Sequence, residues 1–292
     1  MEIVIARESG FCYGVKRALR LARETRSQAE TSVFSWGELI HNPDVIQELE
    51  KEGIVPTEKI ENLKGATVII RSHGVSPDIH QQLKKEAKIV IDATCPIVKR
   101  IQKLTARLAR QRQEIIIVGN PNHPEIKGLL GTSGGRALII ENEAQVLSLP
   151  FARRRAILAQ STQDMELFAR VVAALVGKTG ELRAYNTICH STQVRQRSTS
   201  ELASQVDVLF IIGGASSSNT NKLYEISKRI QPKTFFIEKA AQITPEMLSG
   251  AQKVGISGGA STPPEAIREA VLKIKESFRK FGSEEKVVPC QR

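Results

Sequence analysis

The 292-residue sequence contains no apolar stretch approaching the roughly 20 residues that a membrane helix needs, and no low-complexity tract. Its start, MEIVIARESG, lacks the basic lead, apolar middle and small-residue cleavage site of a signal peptide, so the expectation is a soluble, cytoplasmic protein. Cysteine is scarce. Four are present and none forms a C-x-x-C pair, which excludes a disulfide framework and leaves no zinc-ribbon or thioredoxin-like signature. Aromatic residues make up 4% of the chain, few platforms for stacking nucleic-acid bases. Acidic residues are outnumbered, 31 against 42 lysines and arginines, and the net charge of +11 favours an anionic partner: nucleic acid, an acidic protein or a phosphorylated metabolite. The one dense basic run, Arg153 to Arg155, is shorter than a usual nucleic-acid patch and reads as solvated surface. No G-x-G-x-x-G run opens a helix after a strand, so no nicotinamide cofactor is implied. Gly177, Lys178 and Thr179 match the end of a Walker A motif, but Val172 stands where its first glycine should be, and ATP hydrolysis is unsupported.

What is present is an α/β pattern. The hydrophobic fraction of 41% and the charged fraction of 25% are globular values. Short β-branched segments alternate with segments of helical periodicity, as parallel sheets with crossover helices require. Strands are expected at 3–6, 67–70, 89–91, 114–118, 137–140, 208–212 and 253–256.

One arrangement occurs three times: an apolar strand, a brief polar loop, a cysteine, then a helix. EIVIARESGFC precedes YGVKRALRLARET, KIVIDATC precedes PIVKRIQKLTARLARQ, and RAYNTIC precedes HSTQVRQRSTSELASQV. Val15, Ala18, Leu19 and Ala22 share one helical face, as do Ile97, Ile101, Leu104 and Leu108. The third helix has a weaker apolar stripe. Cys12, Cys95 and Cys189 lie roughly 80 to 95 residues apart, about the length of a small domain. Three similar lobes are therefore expected, at 1–95, 96–188 and 189–283, with a polar tail at 284–292. Cys290 falls in that tail without the strand and helix context and is left out of the site.

A cysteine between a strand's carboxyl end and a helix's amino end stands where open α/β sheets hold ligands, and the positive helix end favours the thiolate that metals require. A single free cysteine is as readily a small buried hydrophobe. The triple repetition points instead to one shared metal site, either an iron-sulfur cluster with one iron lacking a cysteine ligand or a three-cysteine zinc. Spacing does not separate the two.

Other strand-end loops are rich in hydrogen-bonding groups: RSHGV with His73, NPNHPEIKG with His123 and Glu125, GGASSSNTN with Ser217, Ser218 and Asn219, SGGASTP with Ser261, and HNPDV with His41. Glycine lets backbone approach an anion, and hydroxyls, amides and imidazoles bond phosphate oxygens. One such residue alone is more simply a turn or helix cap, and Ser217 or Ser218 could merely cap the helix near Asn221. Five loops together compose a phosphate cradle. Glu125, two residues after His123, is the best-placed carboxylate to move a proton near the cluster. His80 reads as surface, and His190 is undecided.

Taken together, GFCYGVKRA, HNPDV, RSHGV, DATCPIVK, NHPEIKG, NTICHSTQVRQ, GGASSSNTN and SGGASTP resemble, in order and over nearly the whole chain, the 4-hydroxy-3-methylbut-2-enyl diphosphate reductase (LytB/IspH) family. The resemblance implies three similar α/β lobes in pseudo-threefold symmetry around a central iron-sulfur cluster. It implies one 4Fe-4S cluster on Cys12, Cys95 and Cys189, whose fourth iron, without a cysteine, meets substrate and is lost on oxygen exposure to give 3Fe-4S. His41, His73, His123, Ser217, Ser218, Asn219 and Ser261 would hold the diphosphate of an allylic substrate, and Glu125 would serve the proton path. Two electrons from ferredoxin or flavodoxin would remove the allylic hydroxyl, giving isopentenyl and dimethylallyl diphosphates, the last step of the non-mevalonate isoprenoid pathway. Neither nucleic acid nor membrane is an implied partner.

Three positions depart from the family pattern. AQST stands for a threonine-rich run, so Ser161 replaces a threonine near the substrate beside retained Thr162. Tyr13 follows the first cysteine where a small residue is common, and His190 and Ser191 follow the third. Two rivals of other classes remain at this stage. A zinc hydrolase would use Glu125 as base on a phosphorylated metabolite, and a basic nucleic-acid-binding protein would carry the cysteines structurally.

Overall fold

The chain is described by a computed structural model covering residues 2–279 and 286–289. Strand β1 (Glu2–Ile5) leads to α1 (Tyr13–Gln28). Then come β2 (Val33–Trp36), α2 (Pro43–Lys51), β3 (Ile54–Thr57), β4 (Thr67–Ile70), α3 (Pro77–Glu86), β5 (Ile89–Asp92) and α4 (Pro96–Arg110). The middle of the chain forms β6 (Glu114–Val118), α5 (Pro124–Thr132), β7 (Leu138–Ile140), α6 (Ala144–Leu147), β8 (Ala152–Ala159), α7 (Met165–Val176), β9 (Thr179–Tyr185) and α8 (His190–Ala203). The last part forms β10 (Val208–Ile212), α9 (Ser218–Ile230), β11 (Thr234–Ile237), β12 (Lys253–Gly258), α10 (Pro264–Arg279) and β13 (Lys286–Pro289).

These strands make three wholly parallel sheets, ordered β3-β2-β4-β5, β7-β6-β8-β9 and β11-β10-β12-β1-β13. The α/β class expected from the alternation is observed. All three sheets repeat one order, in which the strand that leads to a cysteine (β5, β9 or β1) lies beside the strand preceding it in the repeat (β4, β8 or β12). Side chains alternate between two apolar layers, as a sheet covered on both faces requires. In the last sheet Ile3, Val208, Phe210 and Ile212 enter one layer, while Val4, Leu209 and Ile211 enter the other. In the middle sheet Ile116, Val118 and Ile157 oppose Ile115, Ile117 and Leu158.

By its internal packing the chain divides into two compact units. One contains residues 2–13, 41–45 and the described chain from His190 onward, and the other contains 14–40 and 46–189. The first unit holds the β1-containing sheet and the second holds the other two. In the second, Gly131 of α5 lies so close to Ser76 that a side chain has no room there, which lets α5 pack directly on the loop before α3.

Two features differ from the boundaries expected for the lobes. β1 belongs not with residues 33–92 but with β12, in register Ile3 to Val254 and Ile5 to Ile256. A strand buried on both faces joins whichever sheet covers it, and sequence proximity has no vote. Within the expected polar tail, β13 pairs in parallel with β1. Cys290 lies outside the described residues.

Arg153 to Arg155 is a surface run only in its first two residues. It lies in β8, where Arg155 is 1% exposed, its Nε donating to Glu114 at 2.7 Å and its two terminal nitrogens to the carbonyls of Lys178 and Pro150. Gly177 and Lys178 end a helix and enter β9, the reverse of a phosphate loop, which leaves a strand to start a helix.

Candidate functional site

The three cysteines occupy equivalent places. Each is the residue immediately before a helix, Cys12 before α1, Cys95 before α4 and Cys189 before α8. Each backbone N–H donates to a carbonyl two residues beyond the end of the neighbouring strand: Cys12 to Ala260 at 3.0 Å, Cys95 to Ser72 at 2.9 Å and Cys189 to Ser161 at 2.9 Å. The hook fixes where each loop turns into its helix. The residue after each hooked carbonyl is Ser261, His73 or Thr162, all expected in the pocket. None of the three is in a disulfide, and all are half-buried.

The central strands β2, β6 and β10 repeat a second pattern. A glycine follows each strand directly (Gly37, Gly119, Gly213), and five residues beyond Trp36, Val118 and Ile212 stand His41, His123 and Ser217. The sequence motifs that looked like separate loops are thus two sets of equivalent positions.

In the first unit, Ser217 caps α9, its Oγ accepting from the Thr220 N–H at 3.4 Å and from the Thr220 hydroxyl at 3.0 Å. Ser261 donates to the His41 carbonyl at 2.9 Å. Gly259 has no room for a Cβ against Thr220, and a Cβ at Gly214 would come within 3.0 Å of the His41 carbonyl. Asn219 is 3% exposed, and neither its amide nitrogen nor its amide oxygen has a hydrogen-bond partner. A buried amide left in that state costs about 1–3 kcal/mol, so its place beside the Ser217 cap fits a polar ligand that completes it. Ser218 is half-buried at the start of α9.

In the second unit the expected residues form one chain of contacts. Glu125 is 1% exposed in the first turn of α5. Its Oε1 accepts the Ser161 N–H at 2.7 Å and its Oε2 accepts the Ser161 hydroxyl at 2.6 Å. Burial pushes the Glu125 carboxyl above its ordinary value, and the two bonds from Ser161 oppose that shift. His123 caps α5, its Nδ1 accepting the Glu125 N–H at 3.1 Å, which leaves the ring proton on Nε2. The His73 ring meets the His123 ring edge-on, centroids 5.2 Å apart. Ser72 holds Cys95 and Ser161 holds Cys189, so contacts run from one cysteine to the other through His73, His123, Glu125 and Ser161. Thr162 accepts from the Gln160 amide at 3.0 Å. Tyr13 is 72% exposed, and His190 is exposed at the start of α8.

A profile of the LytB protein family matches residues 3–275. This chain belongs to the LytB family. It is 41% identical over 279 residues to the 4-hydroxy-3-methylbut-2-enyl diphosphate reductase of Aquifex aeolicus (strain VF5), covering 94% of this chain and 96% of that protein. It is also 41% identical over 279 residues to the enzyme of the same name from Caldanaerobacter subterraneus subsp. tengcongensis, covering 94% and 97%. Among solved structures, the E-1-hydroxy-2-methyl-but-2-enyl-4-diphosphate reductase from Plasmodium falciparum superposes with a TM-score of 0.92 at 27% identity, covering 100% of this chain and 92% of that one. No described helix is long and apolar enough to cross a membrane.

Within this LytB chain two arginines went unread in the sequence. Arg195 of α8 is 1% exposed and donates to the carbonyls of Gly10 at 2.7 Å and Gly258 at 3.3 Å, holding the loop before Cys12 to the loop that carries Ser261. Arg17 of α1 donates to the Thr94 carbonyl at 3.2 Å, directly before Cys95. The weak apolar stripe of α8 was the available signal for Arg195, because the buried face of that helix is polar: Thr192, Arg195, Gln196, Ser198 and Thr199.

Proposed function

We propose that this chain is a 4-hydroxy-3-methylbut-2-enyl diphosphate reductase of the non-mevalonate isoprenoid pathway, working in the cytoplasm. The allylic C–O bond breaks, two electrons and two protons are taken up, the oxygen leaves as water, and isopentenyl and dimethylallyl diphosphates form. Cys12, Cys95 and Cys189 would hold one 4Fe-4S cluster, and a donor set of three half-buried cysteines outside any disulfide, each hooked at a helix start, suits that cofactor. When bound, the cluster supplies electrons and a Lewis-acidic iron free of cysteine. Oxygen removes that iron and leaves 3Fe-4S. Reduced ferredoxin or flavodoxin is the donor.

The observation that carries the reading is Glu125, a buried carboxyl whose pKa burial raises and which bonds the residue that anchors Cys189. A carboxyl whose proton affinity burial raises is suited to deliver a proton to a departing hydroxyl, through Ser161 or directly. It keeps water out while doing so, since it is sealed by α5 and the loop after β8. Ser161 keeps the hydroxyl of the family's threonine, and Thr162 lies beside it. Asn219, Ser217, Ser218, Ser261 and His41 bond the diphosphate oxygens, joined by His73 and by His123 through its Nε2–H. A zinc hydrolase would need Glu125 ionised as a base, and burial works against that.

The test is anaerobic iron and sulfide analysis with Mössbauer spectra before and after adding the hydroxylated diphosphate. Four irons and a change confined to one of them are expected. Zinc in place of iron, or spectra indifferent to substrate, would end the proposal, and Cys95→Ser should lose the cluster.

A further inference from the structure

The reaction consumes two electrons, and the sequence offers no site for a nicotinamide, so the electrons must come from another molecule. Helix α4 begins at Cys95 and carries five cations, Lys99, Arg100, Lys103, Arg107 and Arg110, with no acidic residue along its length. Their spacing places them in one stripe on the solvent side, opposite the buried Val98, Ile101, Thr105 and Leu108. Lys99 pairs with Asp92 at 2.7 Å, whereas Arg100, Lys103, Arg107 and Arg110 make no ion pair among the described residues. Several cations elsewhere in this unit are matched: Arg23 bonds Glu48 and Glu52, Arg170 bonds Glu143, and Arg154 and Arg183 share Glu181. Unmatched like charges within one helix repel one another at i,i+4, a cost with no internal return.

Alongside α4 lies a cavity of about 500 Å³, bordered by Lys103, Gln102, His80 and Ser76 and by Asp92, whose charge Lys99 pairs, with Val75 among its apolar walls. It is roomy enough to seat acidic side chains from a partner's loop. Thr94, next to Cys95, lines it as well.

We propose that the α4 stripe and this cavity form the docking face for an acidic one-electron carrier protein, with Cys95 as the nearest ligand to the entry point. The inference rests on the reductase reading above. Each encounter oxidises the carrier by one electron, and two encounters serve one turnover, in which the C–O bond breaks, two protons are taken up and water leaves. Nucleic acid fits the stripe less well, because the helix begins at Cys95 and stacking aromatics are few.

The test compares Lys103→Glu/Arg107→Glu with wild-type holoenzyme, using a reduced acidic ferredoxin or sodium dithionite as the electron source. Lys51→Glu, on the exposed end of α2, controls for net charge. The double variant should raise KM for ferredoxin about tenfold at low salt, and the difference should shrink as salt screens it. Turnover with dithionite should stay within about twofold, as expected for rim charges outside the chemistry. An unchanged ferredoxin KM, an equal loss with dithionite, or an equal effect of Lys51→Glu overturns the docking face. Loss of duplex DNA binding without any ferredoxin effect also overturns it and assigns the stripe to nucleic acid. Absence of dithionite-driven turnover in the wild type sinks the reductase reading itself, a distinct outcome.

Discussion

The polar groups around Glu125 and those around Asn219 are equally buried but differently finished. Glu125 has both carboxylate oxygens bonded by Ser161 and its neighbour His123 bonded by the Glu125 N–H. Asn219 has two amide atoms with no partner at all. A closed network needs nothing from outside and can hold a proton in a fixed place. An open one carries a standing cost that only a ligand relieves. The first arrangement suits chemistry and the second suits binding, and substitutions should separate the two.

The largest effect should come from Glu125→Gln, which keeps the shape and removes the acid. Turnover should fall about 10²–10⁴-fold, the usual worth of general acid catalysis, with substrate affinity and cluster content retained. Normal turnover by this variant would remove Glu125 from the mechanism. Next, Arg195→Met strands two carbonyls beside Cys12 and should lower unfolding free energy by about 2–3 kcal/mol, read by urea titration of the holoprotein. A change of a few tenths would mean that Arg195 holds nothing.

Asn219→Ala should act in the opposite sense on stability. With the orphaned amide gone, the substrate-free protein should gain about 1 kcal/mol while KM for the diphosphate rises about tenfold, the pattern of a site kept at the expense of stability. A destabilised variant with unchanged KM would show that Asn219 is structural.

The smallest effect is a pH dependence. A carboxyl whose folded pKa is raised above the ordinary 4.5 lends stability that is fully present below that value and is lost as pH climbs through the raised one. The melting temperature of the wild type relative to Glu125→Gln should therefore fall with rising pH above the ordinary glutamate range. A flat difference would mean that Glu125 stays ionised in the fold.

Much of the architecture could be read in advance where burial is apolar on both faces. TVII, EIIIV and VLFII are continuous apolar runs, and they are β4, β6 and β10, with the residues expected. Strands with polar content escaped. β8 reads ARRRAILA because Arg155 is neutralised by Glu114, a residue on the neighbouring strand that no local window includes. β9, an edge strand, alternates charges, and β3 contains Pro56, tolerable only at an edge. The strand, glycine and cysteine motifs of the candidate site were legible because each is a local signal. The hooks of the cysteine N–H groups and the Arg195 clamp were not, since they join backbone carbonyls, which every residue has, across as many as 248 positions. The placing of β1 was hidden for the same reason, since it finds its partners only in β12 and β13.

That late partner has a consequence for biogenesis. β1 leaves the ribosome long before its neighbour β12 and before the Ala260 carbonyl that anchors Cys12. At about 5–20 residues per second, the leading thiol waits on the order of tens of seconds before its loop has anything to fold against. The Cys12 loop thereby takes its fixed place only after β12 and the loop behind it have been made.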